Sequence, residues 1–167
     1  MLIDGYNIIH AWDELKELMV DVSLESARQK LMDILSNYKG VKDTTIILVF
    51  DGYLVKGNLG TAYSYHNIYV VYTKEAETAD HYIERVVTSL PKHYHVRVAT
   101  GDALEQLIIY GQGASRMTPR ELYHEVRGEE ASMRENYILK RPVKNNLLAD
   151  NLDVESQEWL EALRRKR

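Results

Sequence analysis

Thr45-Ile46-Ile47-Leu48-Val49-Phe50-Asp51 is the stretch on which the fold turns. Its unbroken apolar run leaves no polar side for water, which marks a strand covered on both faces in a parallel sheet flanked by helices. The run ends in a carboxylate, and that ending recurs along the chain. Asp4 follows Leu2-Ile3, Asp80 lies shortly after Ile68-Tyr69-Val70-Val71-Tyr72, and Asp102 follows Val96-Arg97-Val98-Ala99-Thr100.

Helical spacing fills the intervals. After the first strand the sequence reads as a loop. Leu24, Ala27, Leu31, Ile34, Leu35 and Tyr38 then recur on one face, with Ser23 as N-cap and Gly40 as the stop. A Gly-rich loop (Gly52, Gly57, Gly60) precedes the strand at 68–72. A second helix is predicted over about 76–90, with Ala79, Ile83, Val86, Val87 and Leu90 inward and Pro91 just beyond. Asp102 is placed to cap a short helix reaching about Tyr110. Alternation of this kind predicts a three-layer α/β/α sandwich with a mostly parallel central sheet and right-handed crossovers.

Beyond Tyr110 the character changes. Gly111-Gln112-Gly113-Ala114-Ser115 reads as a flexible loop, since it matches neither the phosphate-loop nor the dinucleotide fingerprint; no nucleotide cofactor is expected. Thr118-Pro119-Arg120-Glu121 is a strong helix start, with Thr as N-cap, Pro at the first helical position and Glu closing a capping box. That helix is predicted to about Ile138, with Leu122, Val126, Met133 and Tyr137 inward and Arg120, Arg127 and Arg134 outward. The reading gives one domain over 1–140. A linker and a short amphipathic helix with Trp159, Leu160, Leu163 and a basic tail follow at 141–167.

Composition fits one packed domain. The chain has 167 residues, 45% of them hydrophobic and 28% charged, with no low-complexity stretch. No apolar run approaches the roughly 20 residues of a membrane span, so no membrane association is expected. The first strand begins at once, which leaves no room for a signal peptide and makes the cytoplasm the expected compartment. Zero cysteines exclude disulfides and thiolate metal sites. The formal net charge of −4 is unevenly spread: residues 1–110 hold 10 Lys/Arg against 15 Asp/Glu, and residues 111–144 hold 7 against 5. That asymmetry suits an acidic catalytic half beside a basic stretch, and equally a solvated helix.

Ligands bind open parallel sheets in the crevice at the carboxyl ends of the strands. Four carboxylates converging there would repel one another unless a hard cation neutralised them. Asp4, Asp51, Asp80 and Asp102 therefore predict a Mg²⁺ or Mn²⁺ site, of the kind that handles phosphates. Taken singly, each aspartate is equally an N-cap or turn former. Glu77 and Glu84 lie close to Asp80 in sequence, and a first-turn Asp80 would also gain from the helix dipole. Gly5 would let the backbone turn beside Asp4, and Asn7 would touch a phosphate or hold Asp4. Tyr6, Tyr53, Tyr63 and Tyr65 are candidates for base stacking near the site, and Arg116, Arg120 and Arg127 for phosphate contacts. The six histidines show no metal-ligand spacing apart from His93-x-His95, which reads as surface.

Ile3-Asp4-Gly5-Tyr6-Asn7-Ile8, Leu48-Val49-Phe50-Asp51, Thr73 through Asp80, Val98-Ala99-Thr100-Gly101-Asp102 and Gly111 through Ala114 with Arg120-Glu121-Leu122 together resemble the YacP-like NYN domain family of the PIN-like nucleases. The resemblance runs in order from residue 2 to about residue 127. It implies a parallel sheet with an acidic Mg²⁺/Mn²⁺ pocket, endonucleolytic cleavage of RNA, a role in messenger RNA decay and a ribosomal partner. It casts Asp4 and Asp80 as the central acids, Asp51 and Asp102 as supporting ones, and Asn7 as the motif residue. Two departures stand out. The family usually has a few more residues before the first aspartate, so strand one reads as clipped. Gly101 occupies a position where PIN-like chains often carry Ser.

The expected chemistry is metal-assisted phosphodiester hydrolysis, with Asp4, Asp80 and Asp102 as metal ligands and Asp51 completing the pocket. The main alternative is a PIN-like module that binds RNA or the ribosome without cutting. A receiver-type phosphoacceptor would need a lysine ending a late strand, and a phosphatase an Asp-x-Asp pair; neither is present.

Overall fold

The computed structural model describes residues 1–52, 60–74, 77–91, 93–102, 111 and 113–140, with side chains to residue 135. The predicted linker and terminal helix at 141–167, the predicted short helix after Asp102 and Tyr53 all lie outside the described residues. The chain divides into two compact units, Met1–Ala131 and Ser132–Arg167. The sheet and all candidate site residues belong to the first. None of the helices among the described residues is long and apolar enough to cross a membrane.

Six strands form one sheet: β1 (Leu2–Asp4), β2 (Ile47–Phe50), β3 (Thr61–Tyr65), β4 (Ile68–Tyr72), β5 (Arg97–Ala99) and β6 (Ser115–Met117), in the order β3-β4-β2-β1-β5-β6. Every pairing is parallel except β3 with β4. From β1 the chain adds strands on one side through β2 and β4, then returns to place β5 on the other. The direction of addition therefore reverses between β1 and β5, which is where such sheets open a crevice at their carboxyl edge.

Alternate residues of the strands serve two cores, as the two-residue period requires. Ile3, Leu48, Phe50, Val70 and Ala99 pack with α1 (Gly5–Ala11), α3 (Leu24–Lys39) and the start of α5 (Pro119–Lys140). Leu2, Val49 and Val98 pack with Ala79, Ile83 and Val87 of α4 (Ala79–Ser89). The three-layer expectation is met. α3 has its predicted cap, with Ser23 Oγ accepting from the Ser26 N–H at 3.1 Å. The Thr118–Glu121 capping box is also formed: Thr118 N–H donates to Glu121 Oε2 at 2.7 Å, and Glu121 N–H to Thr118 Oγ1 at 3.2 Å.

Several expectations need correction. The segment after β1 is helical: α1 is followed by α2 (Asp13–Asp21), hinged at Trp12, whose indole N–H donates to Pro119 O at 2.9 Å. α4 starts at Ala79 behind Thr78, whose hydroxyl accepts from the His81 N–H, and not at 76. Two edge strands escaped the sequence reading because both are short and largely exposed, with no apolar face to register. The β3–β4 turn also lacks the Gly or Asn-Gly signal of a tight hairpin; its left-handed residue is His66, φ 49°. In the second unit, Met133 is 46% exposed and so does not face inward as predicted.

Gly5 does not make a turn. It is helical and buried against Phe50, and a Cβ there would stand 2.2 Å from the Phe50 ring. The ring itself is fully buried and has little room to retreat. Gly5→Ala is expected to cost about 2–3 kcal/mol in urea unfolding, the scale of overpacking a tight core. Phe50→Leu should recover part of that loss in the double variant, and an additive double variant would refute the contact as the cause.

Candidate active site

Asp4 ends β1 and caps α1. Its carboxylate accepts the Asn7 backbone N–H at 3.0 Å and the Asn7 side-chain amide at 2.6 Å, and the residue is only 3% exposed. The other end of Asn7 reaches across the crevice: its Oδ1 accepts the Gly101 N–H at 3.2 Å. Asn7 thus ties the carboxyl end of β1 to that of β5. A Cβ at position 101 would stand 2.7 Å from Asn7 Oδ1, so glycine here leaves room for the amide. The Ser that many PIN-like chains carry would crowd it.

Asp51 directly follows β2, and its carboxylate accepts the Ala79 N–H at 2.7 Å. It therefore sits at the start of α4, and Asp80 lies in that helix's first turn, where the dipole favours an anion. Two buried threonines, passed over in the sequence reading, hold the strand ends in place. Thr73 Oγ1 accepts the Gly52 N–H at 2.9 Å, and Thr100 Oγ1 accepts the Asp102 N–H at 3.1 Å. Their only sequence signal is a hydroxyl residue immediately after an apolar run.

The electrostatics group three of the four acids. Burial raises the proton affinity of Asp4; the Asn7 hydrogen bonds oppose this, and the charges of Asp80 and Asp51 add to it. Burial likewise raises Asp51, opposed by the Ala79 N–H and reinforced by Asp80. These carboxylates burden one another, so a divalent cation fits the donor set they present. Asp102 is exposed, at the end of the turn that follows β5. Among the described residues no three His, Asp or Glu side chains make a ready cage for a metal ion. A cation held here would keep part of its water shell, as Mg²⁺ usually does. Glu77 does not join the group, for it pairs with Arg85 at 2.6 Å.

The structure sorts the expected RNA contacts. Tyr6 offers no face to a base: it is 6% exposed, its ring packs on Phe50 at 5.1 Å, and its hydroxyl accepts from Arg28 Nη1 at 3.0 Å. Arg28 is itself buried, with its guanidinium over Tyr72, and was not singled out from sequence. Tyr63 and Tyr65 lie on β3 and bond Met32 and Asp33 of α3, away from the carboxylates. Arg127 is engaged by Glu14 and Glu130 and covers the Tyr123 ring, so its charge is spent within the fold. Asn7 holds Asp4 and Gly101 with one amide N–H not used in either bond. Arg116 on β6 and Arg120 in the first turn of α5 are exposed.

A mostly parallel sheet with a reversal crevice and carboxylates at its carboxyl edge is the architecture expected of a PIN-like domain. The family model of the YacP-like NYN domain matches residues 1–165, and the chain belongs to that nuclease-like family. A relative from Bacillus subtilis (strain 168), "Uncharacterized protein YacP", is 43% identical over 127 residues, covering 75% of this chain and 74% of its own. The crystal structure of Rae1 (YacP) from Bacillus subtilis aligns with a TM-score of 0.72 at 37% identity, over 98% of this chain and 93% of that one. A tryptophan-to-leucine variant of the same protein gives a TM-score of 0.72 at 33% identity, over 97% of both chains.

The raised proton affinities of Asp4 and Asp51 fix the sign of a pH effect. The folded, metal-free state binds these protons more tightly than the unfolded chain, so the stability they contribute is present at acid pH. It is lost as pH rises from the ordinary carboxylate range through the raised folded values. Asp51→Asn keeps an acceptor for Ala79 and removes a charge. In EDTA it should raise Tm by a few degrees at neutral pH and flatten the pH dependence. An unchanged pH profile would refute the coupling.

Proposed function

We propose that this chain is a metal-dependent endoribonuclease that cleaves RNA phosphodiester bonds. The observation that carries the reading is the mutual electrostatic coupling of Asp4, Asp51 and Asp80 at the carboxyl edge of the sheet. Asp4 and Asp80, with Asp102 from the rim, would hold Mg²⁺ or Mn²⁺, and Asp51 would complete the pocket. The ion would supply neutralisation of phosphate charge and a lower proton affinity for the attacking water. The chain's own part is positional: Asn7 fixes the Asp4 carboxylate, Thr73 and Thr100 fix the turns that carry Asp51 and Asp102, and α4 presents Asp80. In hydrolysis, water adds to phosphorus and the bond to the leaving ribose oxygen breaks. Arg116 and Arg120 would meet the RNA backbone.

Family membership supports a nuclease-type activity, and a role in messenger RNA decay at the ribosome in the cytoplasm extends that reading. The lack of a ready metal cage among the described residues favours one alternative, a PIN-like module that binds RNA or ribosomes without cutting.

Single-stranded RNA incubated with Mn²⁺ or Mg²⁺, with and without ribosomes, separates the two. Cleavage is expected to stop in EDTA and to fall at least about 100-fold in Asp80→Asn, the scale of removing one group that stabilises transition-state charge. Cutting at the wild-type rate by a folded Asp80→Asn variant would sink the site. RNA or ribosome binding without cutting in any condition would establish the binding module.

A further inference from the structure

A cavity of about 360 Å³ opens between the start of α2 and the first turns of α5, at the other end of α1 from Asp4. Trp12 and Tyr123 line it, with their rings edge to face at 5.3 Å. Its size falls within the range of small-ligand sites. The Trp12 indole is locked by its hydrogen bond to Pro119 O, and Pro119 also stands against Gly101, 3.6 Å from where a Cβ would be. Gly101 in turn is bound to Asn7, and Asn7 to Asp4. A chain of contacts therefore links the cavity to the Asp4 carboxylate, and α1, about 10 Å long at its helical rise, spans the interval.

Two opposite charges on the cavity wall lack partners. Arg120 and Asp13 both line it, and neither makes a hydrogen bond or ion pair among the described residues. His124, one turn beyond Arg120 and on the same helix face, is exposed and also lines it. A ligand that satisfies this wall needs an anion for Arg120 and His124, and N–H donors for Asp13. A nucleotide carries both. Among the bases, guanine alone sets two N–H donors (N1 and N2) side by side on its Watson–Crick edge, the match for a two-oxygen carboxylate.

We infer that this cavity is a nucleotide subsite of the RNA-binding surface, taking an unstacked guanine nucleotide next to the cleavage point with its phosphate on Arg120 and His124 and its base edge on Asp13. The inference rests on the reading of the chain as an RNA-acting protein and adds a base preference to it.

The test uses the full chain carrying Trp159→Phe, so that Trp12 is its one tryptophan, in EDTA so that no cleavage is involved. GMP, AMP, UMP and guanosine are titrated while Trp12 fluorescence and the His124 imidazole NMR signal are followed. GMP should perturb both signals saturably, at least about fivefold more tightly than AMP or UMP. Guanosine should bind more weakly than GMP. Arg120→Ala should weaken every nucleotide, whereas Asp13→Asn should abolish the preference for GMP and leave phosphate-dependent binding.

In cleavage assays the Arg120→Ala variant should raise KM for guanine-containing RNA with kcat little changed. Equal response to all nucleotides would reduce the cavity to a phosphate contact and overturn the inference. No response to millimolar GMP in either signal would also overturn it, including the case where these variants lose ribosome association, which would assign the face to a protein partner. Because Asp80 lies outside this cavity, Asp80→Asn should bind GMP as the parent does. Failure of cleavage and failure of the subsite are thus read separately.

Discussion

The buried carboxylate of Asp4 is the constraint around which the rest is arranged. A charge removed from water needs hydrogen bonds or a counter-ion. Asn7 supplies two of those bonds; by accepting its backbone N–H, Asp4 caps the first turn of α1 and fixes the path of the chain off β1. The Asn7 Oδ1 accepts from the Gly101 N–H, so one side chain joins the two strands that flank the crevice. Two glycines stand at close approaches around this turn, at positions 5 and 101. Each sits where a Cβ would strike a neighbour, Phe50 in one case and Asn7 in the other.

What these bonds do not provide is charge balance. Asp51 and Asp80 approach from β2 and α4, and all the nearby hydrogen-bond donors recorded for Asp4 and Asp51 are neutral amides. Elsewhere the carboxylates of this unit are widely paired. Arg85 pairs with Glu77, Arg97 with Glu125, Arg127 with Glu14 and Glu130, and Arg28 with Glu25 and the Tyr6 hydroxyl. A fold that pairs those carboxylates, and leaves Asp4, Asp51 and Asp80 to repel one another, has at this edge what the proposed cation site would need. Stability is given up there in exchange, a common feature of functional sites.

Tyrosine abundance illustrates how a compositional feature divides once packed. Tyr38 bonds Glu125 beside Arg97, and burial with that bond pushes its hydroxyl up to about 12. Tyr6 and Tyr72 sandwich Phe50 at the carboxyl end of β2, and Tyr63 stacks in turn on Tyr72. These rings brace the sheet on the α3 side.

The sequence alone determined the parallel core, because unbroken apolar runs such as Ile46–Phe50 can be satisfied only between two helical layers. It also determined the caps at Ser23 and Thr118, whose chemistry is local, and the positions of four aspartates at strand ends. Tertiary structure decided everything that depends on which side chains meet. Neither spacing nor composition shows that Tyr6 turns inward onto Phe50 and Arg28, that Arg127 is consumed by Glu14 more than a hundred residues earlier, or that the charges of Asp51 and Asp80 act on Asp4. Strands β3 and β6 likewise exist because a neighbouring strand offers them hydrogen bonds, a long-range condition that an exposed three- or five-residue segment does not announce in its own sequence.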